Sequence, residues 1–337
     1  MRLDSLLGPL LSDAHVASYD MDIEKLTHAY IGTLRADALA MPVHWYYDRA
    51  ALDRDYGAVD RYHQPREPHP DSILWRSQYK VSAPEYDILG SQKKRWGQRN
   101  IHYHRDLKAG ENTLNFQLAR KLYEWVCQRG GYDEDLWLEV YRDFMIHPEQ
   151  HRDTYVEEYH RNFFESLAKG KQLRKCASVD IHIGGLASVA ALTAALVKNG
   201  TTTVSEVQKT VQSHVCLTHL GSQVKEASGV LVRLLFRLAN DEPLEEALRL
   251  EANGLVGLRQ LKAWENLPDR QVIGSILSPA CYLPESMIAS LYLVWKYRGQ
   301  FALGLQANAE AGGDNCHRGA VVGALLGALG PMPKIDF

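Results

Sequence analysis

Asp314, Cys316 and His317 follow directly on Gly312-Gly313 and run into Gly319-Ala320-Val321-Val322-Gly323-Ala324-Leu325-Leu326-Gly327-Ala328. Two glycines free the backbone, and a polar cluster then opens a helix of small residues. Such a helix start offers bare N–H groups and the positive end of a dipole, where an anion or a charged cluster can be held. A thiol there is expected to have a lowered pKa and more thiolate. A Cys/His/Asp set also suits zinc or iron better than magnesium. Cys316 as nucleophile or redox thiol, as metal ligand, or as an inert buried cysteine are all open on these residues. His317 is next in sequence, although adjacent residues on a helix do not face each other. Cys281 precedes the helix two before this one, so an up–down path would make it a neighbour of Cys316.

Further groups invite the same question. Asp37 lies on the apolar side of its helix, near Leu34 and Met41, and a buried carboxylate must be paired, hydrogen-bonded or metal-bound. Glu111-Asn112-Thr113 opens a helix containing Leu118, Leu122 and Trp125. Its oxygens suit a hard dication, or it is a plain N-cap. His102-Tyr103-His104 can supply ligands or bases, or simply be solvated. Asp180 and His182 alternate with Ile181 and Ile183 ahead of Gly184-Gly185, so both can point into one polar pocket or form an ordinary capping turn. Trp45 and Tyr47 offer stacking faces for a base or sugar.

Helical periodicity dominates the elements that must position these groups. From Asp22, a good N-cap, apolar residues fall at Ile23, Leu26, Tyr30, Leu34 and Met41, and Pro42 ends the helix. Further helices are expected near 112–128, 133–146, 155–169, 184–198, 204–217, 221–239, 243–253, 285–298, 300–310 and 316–329, with cap residues at starts and glycines at stops. Residues 43–110 are the least regular part and read as a rim or lid with one short helix near Arg49–Tyr56. No alternation of strands and helices appears, so the class is all-α, a single orthogonal helical bundle over 1–337. Two stripes of small residues at four-residue spacing stand out: Gly32, Ala36, Ala40 and Gly319, Gly323, Gly327. Glycine in a helix costs roughly 1 kcal/mol against alanine, so both stripes predict close backbone approach in the interior. That approach would bring the polar ends of the two helices together.

Composition sets bounds. The formal charge is −3, from 38 basic and 41 acidic residues interspersed along the chain, which points neither to nucleic acid nor to a membrane surface. Five cysteines without C-x-x-C spacing suggest a reducing, cytoplasmic setting rather than a disulfide framework. Met1 to Ser12 is too short and too close to Asp4 for a signal segment, and no apolar run approaches a membrane span. The sequence leaves self-association open.

Three blocks in order resemble the ADP-ribosylglycohydrolase family. Gly312-Gly313-Asp314 with Gly323-Ala324 and Gly327-Ala328 is similar to its C-terminal signature. Gly32-Thr33-Leu34-Arg35-Ala36-Asp37-Ala38-Leu39-Ala40-Met41-Pro42-Val43 is similar to its opening block, and Thr218-His219 to its middle step. The resemblance implies the all-α fold, a small nucleotide- or sugar-like ligand, and hydrolysis of a glycosidic bond to ADP-ribose or a related nucleotide sugar. It implies catalytic roles for Asp314 and Glu111, with Cys316 and His317 as further candidates. Asp37, Asn112, Asp180, His182, Gly312 and Gly313 would bind the ligand. Family enzymes hold two magnesium ions through a Thr-Asp-Asp triplet and an Asp-x-Asp-Thr run. Here the triplet reads Gly110-Glu111-Asn112, followed by Thr113, and Cys316 and His317 replace the late Asp and Thr. Asp314 and Glu111 would then hold one magnesium or other divalent ion weakly, or none. This divergent pattern is more like the J-type lens crystallins and selenoprotein J. Three readings follow: a glycohydrolase, an enzyme of altered chemistry based on Cys316, and a catalytically silent, crystallin-like binding or structural protein.

Overall fold

The computed structural model describes residues 22–330 and Met332. The Met1–Ser12 segment lies outside the described residues. In chain order the helices are α1 (Ile23–Ala40), α2 (Arg49–Tyr56), α3 (Leu114–Arg129), α4 (Glu134–Met145), α5 (Glu158–Ala168), α6 (Val189–Lys198), α7 (Val204–Cys216), α8 (Ser222–Ala239), α9 (Leu244–Glu251), α10 (Leu258–Trp264), the single turn α11 (Asp269–Gln271), α12 (Glu285–Lys296), α13 (Phe301–Glu310) and α14 (Asn315–Ala328). Among the described residues there is no strand ladder, only isolated bridges such as Ser178 with His219 and His182 with Tyr282. The class is all-α.

Local chemistry sets the helix ends. The Asp22 carboxylate accepts from the N–H groups of Glu24 and Lys25 at 2.9 and 3.3 Å and starts α1. Pro42 turns its end into a 3₁₀ segment, Met41–Val43. Two ends differ from expectation. The helix expected from 184 begins at Val189, because His182 Nδ1 accepts the Gly184 N–H and folds Ile183–Leu186 into a 3₁₀ turn. The helix expected from 155 begins at Glu158, with Glu157 as its extended N-cap. Leu258–Trp264 is a helix that periodicity missed, since at seven residues it shows barely two turns of pattern.

At the centre, α1 and α14 run antiparallel with their small-residue stripes facing. Gly32 lies against Gly323, Gly319 against Ala36, and Gly327 against the His28 carbonyl. Every residue of α14 is buried. Thr33 Oγ1 donates to the Ala320 carbonyl at 3.0 Å, tying the two helices together. This pairing sets the C-terminal end of α1, and the His44 just beyond it, beside the start of α14. Residues 43–110, expected as a rim or lid, contain α2 and the 3₁₀ segments Pro84–Tyr86 and Gly90–Arg95. His44, His69, His102 and His104 of this stretch are all buried, so part of it forms an inner wall.

Candidate active site

Gly312 and Gly313 adopt φ values of +71° and +65°, which a side chain would strain. A Cβ on Gly312 would lie 2.5 Å from the Tyr46 carbonyl, and one on Gly313 2.1 Å from the Pro279 carbonyl. The N–H groups of Gly313 and Asp314 donate to those same two carbonyls at 2.7 and 2.9 Å. The double-glycine turn therefore stitches three loops together. The N–H groups of the turn itself are all taken, since Gly312 N–H also has a protein acceptor, the Ala309 carbonyl at 3.1 Å. Arg318, fully buried, locks the turn by donating to Asn308 Oδ1, to the Asn308 carbonyl and to the Gly312 carbonyl at 2.8, 2.8 and 3.0 Å.

Held at this point, Asp314 Oδ1 meets His44 Nε2 at 2.9 Å and His317 Nδ1 at 2.8 Å. His44 Nδ1 lies 2.7 Å from His104 Nε2, and His104 Nδ1 lies 2.7 Å from Asp153 Oδ1. On the other side, His317 Nε2 lies 3.0 Å from Glu157 Oε1. The result is a chain of buried groups, Asp153–His104–His44–Asp314–His317–Glu157, in which carboxylates and imidazoles share every contact. Asn115 fixes its end. Its Nδ2 donates to Glu157 Oε1 at 2.6 Å, while its Oδ1 accepts from Tyr159 Oη and His160 Nε2, both at 2.9 Å.

Electrostatics follow from the contacts. Burial works against a charged His317, yet Asp314 and Glu157 on its two nitrogens hold its pKa well above the usual histidine range. Burial alone would raise the Asp314 carboxyl, but His317 and then His44 hold it well below the carboxylate range. Glu157 is lowered too, through His317 and His182 against burial. The second oxygen of Asp314, Oδ2, is buried without a hydrogen-bond partner. The atom facing it is His182 Nε2, at 3.4 Å, which also lies 3.7 Å from Glu157 Oε2. His182 Nδ1 accepts the Gly184 N–H at 2.8 Å, so the proton of the neutral ring sits on Nε2 and points toward the two carboxylates.

The structure gathers Asp314, His317 and His182, and disperses the other sequence candidates. Asp37 is fully buried and accepts from Asn112 Nδ2, Thr113 N and Thr113 Oγ1 at 2.9, 2.8 and 2.8 Å. Burial pushes its carboxyl up despite those bonds. Asn112 is thereby spent on α1. Glu111 turns outward to Arg152 and to the Lys108 N–H, away from Asp314 and its partners. The Asp180 carboxylate accepts the His182 N–H at 2.8 Å and orients that residue.

Cys316 requires a correction. It is fully buried, with Sγ 3.7 Å from the Asp37 carbonyl. Burial, together with the negative charges of Asp37 and Asp314, raises its pKa well above the thiol range, the reverse of the helix-start expectation. Trp45 is packed among His44, Tyr103 and Tyr155, with one face stacked on the His44 ring; Tyr47 stays exposed. His102 and His104 are buried rather than solvated.

Sequence reasoning missed His44, Asn115, Asp153 and Glu157. The available signal was Asp153 and Glu157 four apart just before a helix, where acidic groups favour the dipole.

Three groups of side chains place their ligand atoms within 4.8 Å of one another: His44, Asp314 and His317; Glu157, His182 and His317; and His182, Cys281 and Asp314. Magnesium demands oxygen donors, whereas each group holds at least one imidazole and the first two hold two each. The oxygen donors of the resemblance are also lost, with Asn112 bound to Asp37 and Glu111 paired outside. These residues do not fit a magnesium pair.

Comparison with known proteins bears on this site. A solved structure titled "ADP-ribosylglycohydrolase-related protein complex" superposes with a TM-score of 0.52 at 19% identity, over 92% of this chain and 88% of that one. At that identity it speaks for the fold. No curated protein matches. The ADP-ribosylglycohydrolase family model matches residues 19–335, nearly the whole chain and all three sequence blocks, and so this chain belongs to the ADP-ribosylglycohydrolase family.

Proposed function

We propose that the chain hydrolyses a glycosidic bond to ADP-ribose or a related nucleotide sugar, with Asp314, Glu157 and His182 as the reacting groups. The observation that carries this reading is the unpartnered Asp314 Oδ2, a buried carboxylate oxygen facing the Nε2–H of His182. A carboxylate oxygen without a partner is suited to accept a proton from water or to sit beside a cationic sugar. Glycoside cleavage passes through an oxocarbenium-like state and commonly uses two carboxyl groups. Asp314 and Glu157, on opposite nitrogens of His317, supply the negative field. The Nε2–H of His182 can hydrogen-bond the departing oxygen, while the proton that Asp314 Oδ2 takes from the attacking water passes on to that departing group. Its side chain and that of Glu157 are 14% and 13% exposed, against 1% for Asp314, so substrate approaches from their side.

Asn115 lines two cavities beside these groups. One, of about 50 Å³, is bounded by Tyr159, His160, Gly184, Gly185, Thr218 and His219. The other, of about 10 Å³, lies against His44, Trp45, Asp153 and Glu157. The first borders Gly184 and Gly185, next to His182, and we assign it the sugar or base of the ligand. No helix among the described residues is long and apolar enough to cross a membrane, and five unbridged cysteines suit the cytoplasm.

The tightness of the second cavity favours one alternative, the silent, crystallin-like branch. The deciding experiment is a turnover screen of ADP-ribosyl-arginine, ADP-ribosyl-serine and nucleotide sugars with added divalent ions, alongside thermal-shift binding. Asp314→Asn should lower turnover by about 10²–10⁴-fold, as expected for loss of a general base. No turnover and no shift in melting temperature would reassign the chain to the silent branch.

A further inference from the structure

We propose that His44 Nε2, His317 Nδ1 and the Asp314 carboxylate are the protein ligands of a single first-row transition dication such as zinc, manganese or iron(II), in place of the family's magnesium pair.

Hydrogen counting along the buried chain leads to this site. Without an ion, and with the carboxylates ionised, the contacts from Asp153 through His104 and His44 to Asp314 require three N–H hydrogens on two imidazoles. His317, set between Asp314 and Glu157, requires two more. Two imidazolium charges are therefore needed in a buried cluster. An ion beside Asp314 takes the place of two hydrogens, those that His44 Nε2 and His317 Nδ1 direct at Oδ1, and brings the same charge of two. Every ring is then neutral, and every remaining N–H already has its acceptor. His44 Nδ1–H donates to His104 Nε2, His104 Nδ1–H donates to Asp153, and His317 Nε2–H donates to Glu157. Outer carboxylates that take the free N–H of a ligating histidine are the usual support of an imidazole–metal bond. Here both ligating rings have one, His317 directly and His44 through His104.

The distances agree. Ligands at right angles around an ion with bonds of about 2.0–2.1 Å lie about 2.9 Å apart, and the two nitrogens lie 2.9 and 2.8 Å from Asp314 Oδ1. All three residues are buried, with their ligand atoms within 4.8 Å of one another. Independently, Asp314 Oδ2 is buried and unpartnered, leaving the carboxylate a second oxygen for the ion or its water. Two imidazoles and one carboxylate select a transition ion over magnesium or calcium. The neighbouring set of His182, Cys281 and Asp314 is less suited. The His182 ring accepts the Gly184 N–H on Nδ1 and so carries its hydrogen on the very atom that would have to ligate.

The inference is independent of the glycosidic reading, because ion retention is measured without substrate. The full-length protein is stripped with a chelator, shown to remain folded by circular dichroism, and dialysed separately against zinc, manganese, cobalt(II) and magnesium. Elemental analysis should find one equivalent of a transition ion and no retained magnesium. X-ray absorption of the cobalt form should show two imidazoles and no sulfur. His317→Ala should abolish retention, and Cys281→Ser should keep it. Should His317→Ala fail to fold, the absorption spectrum of the unmutated protein still decides. Magnesium retained in preference, a sulfur ligand, or a folded protein that retains no transition ion would each overturn the proposal.

Discussion

Gly32 and Gly323 meet backbone to backbone: a Cβ on Gly32 would lie 2.1 Å from the Gly323 carbonyl oxygen, and one on Gly323 would lie 2.2 Å from that of Gly32. This reciprocal fit sets the distance between α1 and α14, and with it the placement of His44 against Asp314. The neighbour in each case is main chain, which cannot swing aside. Gly323→Ala should therefore cost about 1–3 kcal/mol or more through overpacking, despite alanine's better helix propensity. Gly323→Leu should cost more still. A urea denaturation midpoint that does not fall would contradict this contact.

Without a bound ion, His317 neutralises two carboxylates at once. His317→Ala should leave Asp314 and Glu157 facing each other without their shared cation, for a loss of about 3–5 kcal/mol, as for a broken buried ion pair. The companion change Glu157→Gln removes one charge and should cost less. Equilibrium unfolding of both variants at neutral pH tests the order.

Mild acid should destabilise the fold. Burial lowers His69 and His214 to about 4, and His160 and His219 to about 3. Because the folded values are depressed, the stability these rings contribute is present above the unfolded histidine value of about 6.5 and is lost as pH falls toward 4 and then 3. Each such ring contributes about 1.4 kcal/mol per pH unit in that window. In the metal-free protein His317 has the opposite sign: its raised pKa stabilises the fold at low and neutral pH, and that part is lost only as pH rises through the folded value. The measurement is the unfolding free energy from pH 7 to pH 4.5. A flat profile would contradict the buried neutral rings.

Cys316 should be chemically silent in the native state. Its thiol is fully buried and held protonated, whereas Cys127 and Cys216 are partly exposed. Iodoacetamide at neutral pH, read by mass spectrometry, should label Cys127 and Cys216 first, and Cys316 only in denaturant. Native labelling of Cys316 ahead of Cys127 would restore the reactive-thiol reading.

Much of the framework was legible in the chain itself. The stripes Gly32, Ala36, Ala40 and Gly319, Gly323, Gly327 announced two helices in close contact, because glycine repeated in a helix is costly unless a neighbour needs the space. Periodicity placed most of the helices, and three ordered blocks pointed to the family. Asp314 stood out through its double glycine. Local pattern could not carry further. Whether a polar side chain meets water, backbone or another charge depends on packing between segments far apart in sequence. Glu111 and Asp314 are both acidic and both near helix starts, yet one faces solvent and Arg152 while the other is sealed among imidazoles. The same holds for Cys316, whose helix start by itself favours a thiolate and whose burial against Asp37 reverses the preference. The chain from Asp153 to Glu157 through four other residues joins four separate stretches of sequence. Only the tertiary structure assembles it, because a shared proton or ion is recognised by three-ångström distances and not by spacing along a chain.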